Sequence, residues 1–434
     1  MDDLAALDRA HLWHPFTQHQ VWDASPPLII ARGEGCWLVD TDGNRYLDGV
    51  SSLWTNVHGH HHPALDAAVR DQLDRIAHST LLGLSHPPAI RLAARLAALT
   101  GLPRVFYSDN GSTAVEVALK MAFQYQQQTG ATGRTRFASL TDAYHGDTVG
   151  AVSIGNIDRF HAVYRPLLFE AVALPAPLDA DEEAACLQVA LARIAAAGPT
   201  LAAFVFEPLV QGAAGMKMHS PAFLRALCDA ARAQGALLIA DEVATGFGRT
   251  GTMFAVEQAG IKPDFLCLAK GLAGGYLPIA ATLATQAVFD AFVGPPEAYR
   301  QLFHGHTFTG NPLACAVALA SLDLFESEDR LAHVRALALH LTRRLNALAT
   351  RPGVGKIRHK GVLVGIELVQ PDGTAWPTAR LTGHRAAMAC RPRGAVVRPL
   401  GDVLVLNPPL AISHAELDQL LDAVEGAIDE ACRP

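Results

Sequence analysis

The sequence predicts an α/β fold: one large, mostly parallel sheet flanked by helices, with a smaller α+β domain assembled from the two ends of the chain. Three observations predict it. Between residues 104 and 284, apolar runs of strand length alternate with segments of helical periodicity. Two of those runs, Ala236-Leu237-Leu238-Ile239-Ala240 and Phe265-Leu266-Cys267-Leu268-Ala269, carry no charge along their length and end in Asp241-Glu242 and in Lys270. Outside that span, at 28–48 and after 313, short strands sit beside turns and long helices. A chain of 434 residues is long enough for a large core and more than one domain. We read 1–62 as an N-terminal arm and meander packing with the small domain. Residues 63–312 then form the large, ligand-binding domain and 313–434 the C-terminal small domain.

Bulk properties narrow the function. The net charge is −7, which argues against nucleic acid or an anionic membrane as the main partner. Seven cysteines are dispersed without a C-x-x-C pair, as expected of free thiols in a reducing compartment. Met1-Asp2-Asp3-Leu4 is acidic and lacks an apolar signal core, and no stretch reaches the ~20 apolar residues of a membrane span. These features lead us to expect a soluble, cytoplasmic protein.

In order along the chain, a short helix at 4–11 precedes an aromatic-rich arm around Trp13 and Phe16. Strands at 28–30, 36–40 and 46–48 form a meander, with Asp42-Gly43 as a hairpin turn. Helices follow at about 63–76 and 89–99, then a strand at 104–108. Asn110-Gly111-Ser112-Thr113 leads into a helix over 114–127, where Thr113 and Glu116 have capping-box spacing. Strand 136–140, helix 182–197 and strand 201–206 continue the alternation. Ser220-Pro221 starts a helix that Gly235 stops. A strand at 278–284 follows Lys270 and could run antiparallel. The C-terminal part reads as helices at 313–325 and 331–350, strands at 361–368, 394–398 and 403–406, and a closing helix at 414–428.

The chemistry centres on Asp241 and Lys270. Both lie at carboxyl ends of buried strands, where open α/β sheets bind ligands. An acid and a lysine facing one ligand suggest pyridoxal 5'-phosphate (PLP), with the lysine forming the Schiff base and the acid keeping the pyridine nitrogen protonated. The junction at Gly111-Ser112 offers a helix start with free N–H groups and a hydroxyl, suited to phosphate, although an ordinary helix cap would look the same. Tyr144 could stack on a flat ring, with Asp147 anchoring the loop or orienting Tyr144; a buried loop tyrosine is the plainer reading. Glu207 is a further strand-end acid, open to a catalytic-site or a structural role. Arg398 could grip a substrate carboxylate bidentately, or simply be solvated. His58, His60, His61 and His62 lack partners with metal-ligand spacing and read as loop and cap material, so no metal is expected. The glycine-rich run Gly246-Phe247-Gly248-Arg249-Thr250-Gly251 lacks the lysine of a P-loop.

Together these motifs resemble the class III aminotransferases, PLP-dependent enzymes of fold-type I, over nearly the whole chain. The most specific part is the run from Leu238 to Gly251 with Leu268-Ala269-Lys270-Gly271. Within the class, several stretches are similar to the biotin-synthesis branch, which aminates 8-amino-7-oxononanoate. They are Leu12-Trp13-His14-Pro15-Phe16-Thr17, Asp48-Gly49-Val50-Ser51-Ser52-Leu53-Trp54, Tyr144-His145-Gly146-Asp147-Thr148, the run from His304 to Pro312, and Arg398-Pro399 with Asn407-Pro408-Pro409.

The resemblance implies a seven-stranded large-domain sheet. It makes Lys270 the Schiff-base lysine, Asp241 the pyridine-nitrogen partner, Tyr144 the stacking residue, and Gly111 and Ser112 the phosphate site. Glu207, Val243 and His306 join the cofactor-binding set. Thr307 would reach the phosphate of a neighbouring subunit, which implies a homodimer with shared active sites. Arg398 would hold the keto acid's carboxylate, and Phe16, Leu53, Trp54, Asp147 and Gly305 would complete the substrate site. Phe16, Leu53, His306 and Val405 stand where members using S-adenosylmethionine usually have Tyr, Trp, Pro and Tyr. These positions are expected around donor and substrate, so the amino donor is either S-adenosyl-L-methionine or L-lysine. Another ω-aminotransferase, acting on a diamine, a β-amino acid or a 4-aminobutyrate-type substrate, is the main rival. A PLP-binding protein without catalysis is the rival from another class.

Overall fold

The computed structural model describes residues 3–155, 157–178 and 181–433, so Met1 and Asp2 of the acidic N-terminus lie outside the described residues. The strands, in chain order, begin with β1 (Ile30–Glu34), β2 (Trp37–Asp40) and β3 (Arg45–Asp48). Next come β4 (Arg104–Ser108), β5 (Arg136–Leu140), β6 (Val172–Leu174), β7 (Leu201–Phe206), β8 (Val210–Gln211) and β9 (Lys217–Met218). Then follow β10 (Leu237–Asp241), β11 (Phe265–Leu268), β12 (Ala280–Ala284), β13 (Val354–Lys360) and β14 (Leu363–Leu368). The last are β15 (Ala395–Val396), β16 (Arg398–Leu400) and β17 (Val403–Leu406).

The large sheet has seven strands in the order β4-β12-β11-β10-β7-β5-β6. Within it only β12 runs against its neighbours, pairing antiparallel with both β11 and β4. The remaining pairings are parallel, with Ile239 of β10 opposite Phe265 of β11 and Val205 of β7. β7, β11 and β12 are buried along their whole length. Such strands carry no polar side chains that need water, which is why their sequences read as continuous apolar runs. The carboxyl ends of the parallel strands β7, β10 and β11 therefore carry the polar chemistry, all at one edge of the sheet.

The helix Gly111–Gln128 packs against this sheet, and its Ala114 carbonyl accepts the Thr282 hydroxyl at 2.7 Å. Its cap differs from the expected Thr113–Glu116 box. Asn110 accepts the Thr113 amide and the Thr113 hydroxyl accepts the Asn110 amide, both at 3.0 Å. Asn110 is the stronger cap type and Thr113 reciprocates, which frees Glu116. Its carboxylate instead accepts the amides of Gly150 and Ala151, at 2.7 and 3.2 Å. Those amides lie in the first turn of the helix Val149–Ile154, whose positive dipole end suits a carboxylate.

The two termini share sheets. β15 pairs parallel with β3, extending the meander to the order β1-β2-β3-β15. A second small sheet has the order β13-β14-β17-β16. The stretch expected as one strand at 394–398 is thus two, split between sheets, with Val397 buried at the crossing. The meander turn forms as expected: Gly43 has φ +88° and the Asp40 carboxylate accepts the amides of Asp42 and Asn44.

The glycine-rich loop after β10 supplies a tie rather than a ligand cradle. Arg249 is 2% exposed, and its guanidinium donates to Ser51 Oγ, Asn407 Oδ1 and the carbonyls of Asn56 and Pro408. One cation thus fastens the large sheet to segments from both ends of the chain. The four histidines of the 58–62 cluster point to separate partners: Ser321, Asp48, Asp66 and Glu328. Among the described residues no helix is long and apolar enough to cross a membrane.

Candidate active site

A cavity of about 760 Å³ opens at the carboxyl edge of the large sheet. Its lining brings together Phe16, Leu53, Trp54, Gly111, Ser112 and Tyr144, and also Asp147, Glu207, Asp241, Val243, Lys270 and Arg398. All twelve are residues that the sequence singles out, drawn from segments almost 400 positions apart. Gly305, His306 and Thr307 are absent from this lining. They sit on the segment before the helix Pro312–Ser327, with Gly305 and Thr307 exposed. His306 Nδ1 lies 3.0 Å from the carboxylate of Asp109, itself a lining residue, and its Nε2 lies 3.1 Å from His304 Nε2. Val405 is also absent from this lining: it is 1% exposed in β17, paired in register with Arg398.

Lys270 follows β11 after one residue, Ala269, and has φ +43°, a backbone conformation that residues with a Cβ adopt at a cost. The following Gly271 is required sterically, since a Cβ there would sit 2.9 Å from Phe247 Cβ. Lys270 Nζ lies 4.8 Å from the centroid of the Trp54 ring. Burial lowers the Lys270 pKa, and the nearby charges of Asp241 and Glu207 offset only part of that shift.

Asp241 ends β10 at 4% exposure. Its Oδ2 accepts a hydrogen bond from His145 Nδ1 at 2.7 Å, and its Oδ1 accepts the Val243 amide at 3.0 Å. Burial works against a charge on His145, but the hydrogen bond and charge of Asp241, with Glu207 behind it, raise the imidazole pKa overall. The result is a buried carboxylate fixed in place and able to face a cation. His145 is the functional residue that the sequence reading missed: its motif is legible, but nothing in it reveals a partner 96 positions away.

The third wall forms where β4 passes into the helix Gly111–Gln128. The amides of Gly111 and Ser112 lie in the first turn and have no intrahelical acceptor. Ser112 Oγ lies 2.7 Å from Thr148 Oγ1 and accepts the Thr148 amide at 3.0 Å. Two glycines permit this convergence. A Cβ on Gly111 would stand 2.5 Å from Val243 Cγ1, and one on Gly146, at φ +116°, would stand 2.4 Å from Ser112. The corner can thus present amides and a hydroxyl to an anion.

Tyr144 donates its hydroxyl to Asp147 at 2.7 Å, while its amide donates to Glu207 at 3.2 Å. Burial first, then Asp147, raises the phenol pKa, so Tyr144 stays neutral. Glu207 also accepts the Gly212 amide at 3.0 Å, and burial pushes its carboxyl up to about 7. Arg398 begins β16 on the opposite side, 6.0 Å from the Phe16 ring centroid. Burial lowers its pKa.

The arrangement suits PLP on its own chemistry. A buried carboxylate meets a ring-nitrogen cation, a helix start and hydroxyl meet a phosphate, an aromatic side chain borders the space between, and a lysine amine enters from one side.

The class-III aminotransferase family accounts for this combination, and a sequence model of that family matches residues 19–428; the chain belongs to it. The chain is 54% identical over 440 residues to the adenosylmethionine-8-amino-7-oxononanoate aminotransferase of Nitratidesulfovibrio vulgaris, covering 98% of this chain and 81% of that one. Its counterpart of the same name from Geobacter sulfurreducens is 49% identical, with 97% and 96% covered. Among solved structures, the adenosylmethionine-8-amino-7-oxononanoate aminotransferase of Methanocaldococcus jannaschii superposes with a TM-score of 0.95 at 41% identity over 98% of both chains. An amine transaminase from an uncultivated Pseudomonas species, solved in its PLP-bound form, gives 0.92 at 37% identity over 97% and 99%.

Proposed function

We propose that this chain is a PLP-dependent aminotransferase that converts 8-amino-7-oxononanoate to 7,8-diaminononanoate in biotin biosynthesis. One observation carries the reading. Lys270, Asp241, Ser112 and Arg398 line one cavity in a chain 54% identical, over nearly its whole length, to an enzyme named for that acceptor. We further propose that it works in the cytoplasm as a homodimer, with Thr307 of each copy reaching the phosphate site of the other. The exposure of Gly305 and Thr307 on a segment outside this cavity's lining supports that assignment.

When bound, PLP supplies an aldehyde for amine capture and an electron-withdrawing pyridinium ring. The residues of this chain do the rest. Asp241, steadied by His145, would keep the ring nitrogen protonated. The Gly111 and Ser112 amides and the Ser112 hydroxyl hold the phosphate. Tyr144, its hydroxyl bonded to Asp147 and its amide to Glu207, would stack on the ring, and Val243 would contact the ring from the cavity wall. Lys270 Nζ would hold the cofactor through its aldehyde and, as a free amine, would serve as the base that carries the proton. Its lowered pKa raises the fraction of free amine available as base. Arg398 grips the acceptor carboxylate with two parallel hydrogen bonds. Phe16, Leu53 and Trp54 line the path of the acceptor's aliphatic chain and exclude water.

Phe16 and Leu53 line the cavity, which supports a role for them in choosing the amino donor. Val405 is buried in β17 and bears on the donor through its strand partner Arg398. A single-turnover assay of the PLP-loaded protein with S-adenosyl-L-methionine and with L-lysine, followed by 8-amino-7-oxononanoate, tests the whole reading. One donor should convert the cofactor to its amine form, and the acceptor should restore it. Failure of both donors, or of the acceptor, sinks the biotin assignment.

A further inference from the structure

The segment Ser51–Trp54 has an unusual backbone. Ser51, Ser52, Leu53 and Trp54 have φ of 50°, 47°, 74° and 67°. Four successive residues with a Cβ therefore occupy the left-handed region, which such residues visit singly and at a cost. No glycine relieves the run. The turn closes through Trp54 N–H to the Val50 carbonyl at 2.7 Å and Thr55 N–H to the Ser51 carbonyl at 2.9 Å. These two bonds do not select the hand of the turn.

Asp48 does. It ends β3 at 1% exposure, and its carboxylate spans the turn. Oδ1 accepts the amides of Val50 and Ser52 at 3.3 and 2.9 Å, and Oδ2 accepts the Ser52 hydroxyl at 2.8 Å. His60 Nε2 donates to the same Oδ2 at 3.0 Å and is steadied by Asn56. Burial alone would raise the Asp48 pKa, but the bonds from His60 and Ser52 outweigh it and hold the carboxyl below the usual range. The group thus keeps its charge and all four bonds at neutral pH.

The consequence is seen at the cavity. Leu53 reaches its lining at 49% exposure, and Trp54 lies across Lys270 with its ring against Gly212, where a Cβ would stand 2.8 Å from Trp54 Cζ3. A turn of the opposite hand would send these two side chains elsewhere. We propose that Asp48 is a positioning residue: it holds Ser51–Trp54 in the left-handed turn that sets Leu53 and Trp54 as the substrate wall beside Lys270. The substrate side of this proposal rests on the function proposed above; the turn itself does not.

Glycine adopts the left-handed conformation freely, so the strain can be tested by removing it. Asp48→Ala should raise KM for 8-amino-7-oxononanoate about tenfold while kcat stays within about threefold. Asp48→Ala with Ser52→Gly should recover most of that loss, and Asp48→Asn should lie between. In cofactor-free protein grown with 5-fluorotryptophan, the Trp54 resonance, assigned by its loss in Trp54→Phe, should move in Asp48→Ala and return in the glycine double variant. If Asp48→Ala does not accumulate folded, Asp48→Asn and Ser52→Ala make the same comparison at smaller amplitude. An unmoved Trp54 resonance, or a double variant no better than Asp48→Ala, overturns the proposal. A moved resonance with unchanged KM upholds the turn and overturns the choice of acceptor.

Discussion

Two regions meet at the cavity and are built on opposite principles. On one side, Asp241 ends β10 and Lys270 lies just past β11, held by two strands that are buried at every residue but Leu237. On the other, Phe16, Leu53 and Trp54 come from an arm and a turn of irregular backbone, all three with positive φ. The first region is fixed by the fold; the second by a few side-chain bonds. Chemistry shared by a whole family is safest on the rigid side, while specificity can drift on the side where one substitution moves one wall. If this division holds, substitutions on the strand-end side should damage the chemical step itself. Lys270→Ala should abolish turnover, a loss of at least about 10⁴-fold in kcat, because among the described residues no other amine lines the cavity to act as base. Substantial transamination by that variant, measured in single turnover, would break the comparison at its strongest point.

Asp241 should come next. Asp241→Ala is expected to lose cofactor on dialysis and to retain activity roughly 10³-fold below the parent, since the ring nitrogen then lacks its counter-charge. His145→Gln separates position from charge. It leaves the carboxylate but removes the 2.7 Å bond that orients it, and partners of this kind typically matter by about 10- to 100-fold. We expect about tenfold, with cofactor retained and the absorbance of the bound cofactor shifted in its pH response. Equal losses from the two variants would mean that His145, rather than Asp241, carries the effect.

The same division explains what could be read from the sequence. β7, β10, β11 and the strand end at Asp241 are legible because full burial writes a continuous apolar run that ends abruptly in charge. β13 is not legible: its residues Val354 to Lys360 are only partly buried, so no apolar run or clean alternation marks them. The helix Thr382–Cys390 follows a left-handed Leu381 instead of a side-chain cap, so its start carries no signal. At the site, the types and order of Lys270, Asp241, Tyr144 and Arg398 are visible, but which atoms touch is set by tertiary folding. The Asp241–His145 bond, the meeting of Gly111 with Val243, and the left-handed run at Ser51–Trp54 have no local signature. Glu116 shows how a local rule is overridden: its spacing suits a capping box, yet a second helix start offers it two free amides.

Arg398 stands on the recognition side and sharpens the contrast. It should matter to binding more than to chemistry. Arg398→Lys keeps a cation but loses the planar fork that grips both carboxylate oxygens. KM for the acceptor should rise roughly thirtyfold, with kcat within about threefold, in the range expected for a charged hydrogen bond lost. An amine donor without a carboxylate should be unaffected. If kcat falls as far as KM rises, Arg398 belongs with the strand-end group and the division fails there.

The smallest expected effect concerns stability and needs neither donor nor acceptor. Burial pushes the Glu207 carboxyl up to about 7 against the stabilising charge of His145, and Asp241 adds to the rise. A folded-state pKa above the unfolded value means that the folded protein holds its proton longer. The associated stability is fully present below the unfolded value of about 4.5 and is lost as pH climbs through about 7. Glu242, also pushed up to about 7 by burial, has the same sign. Cofactor-free protein should therefore melt at progressively lower temperature as pH rises from about 5 to about 8. Glu207→Gln removes the Glu207 contribution while keeping an oxygen to accept the Tyr144 amide. Its melting temperature should fall by about 3 °C less than the parent's across that window. Parallel curves for parent and variant would show that Glu207 is already ionised in the folded protein, and would move it from the buried strand-end group to the solvated wall.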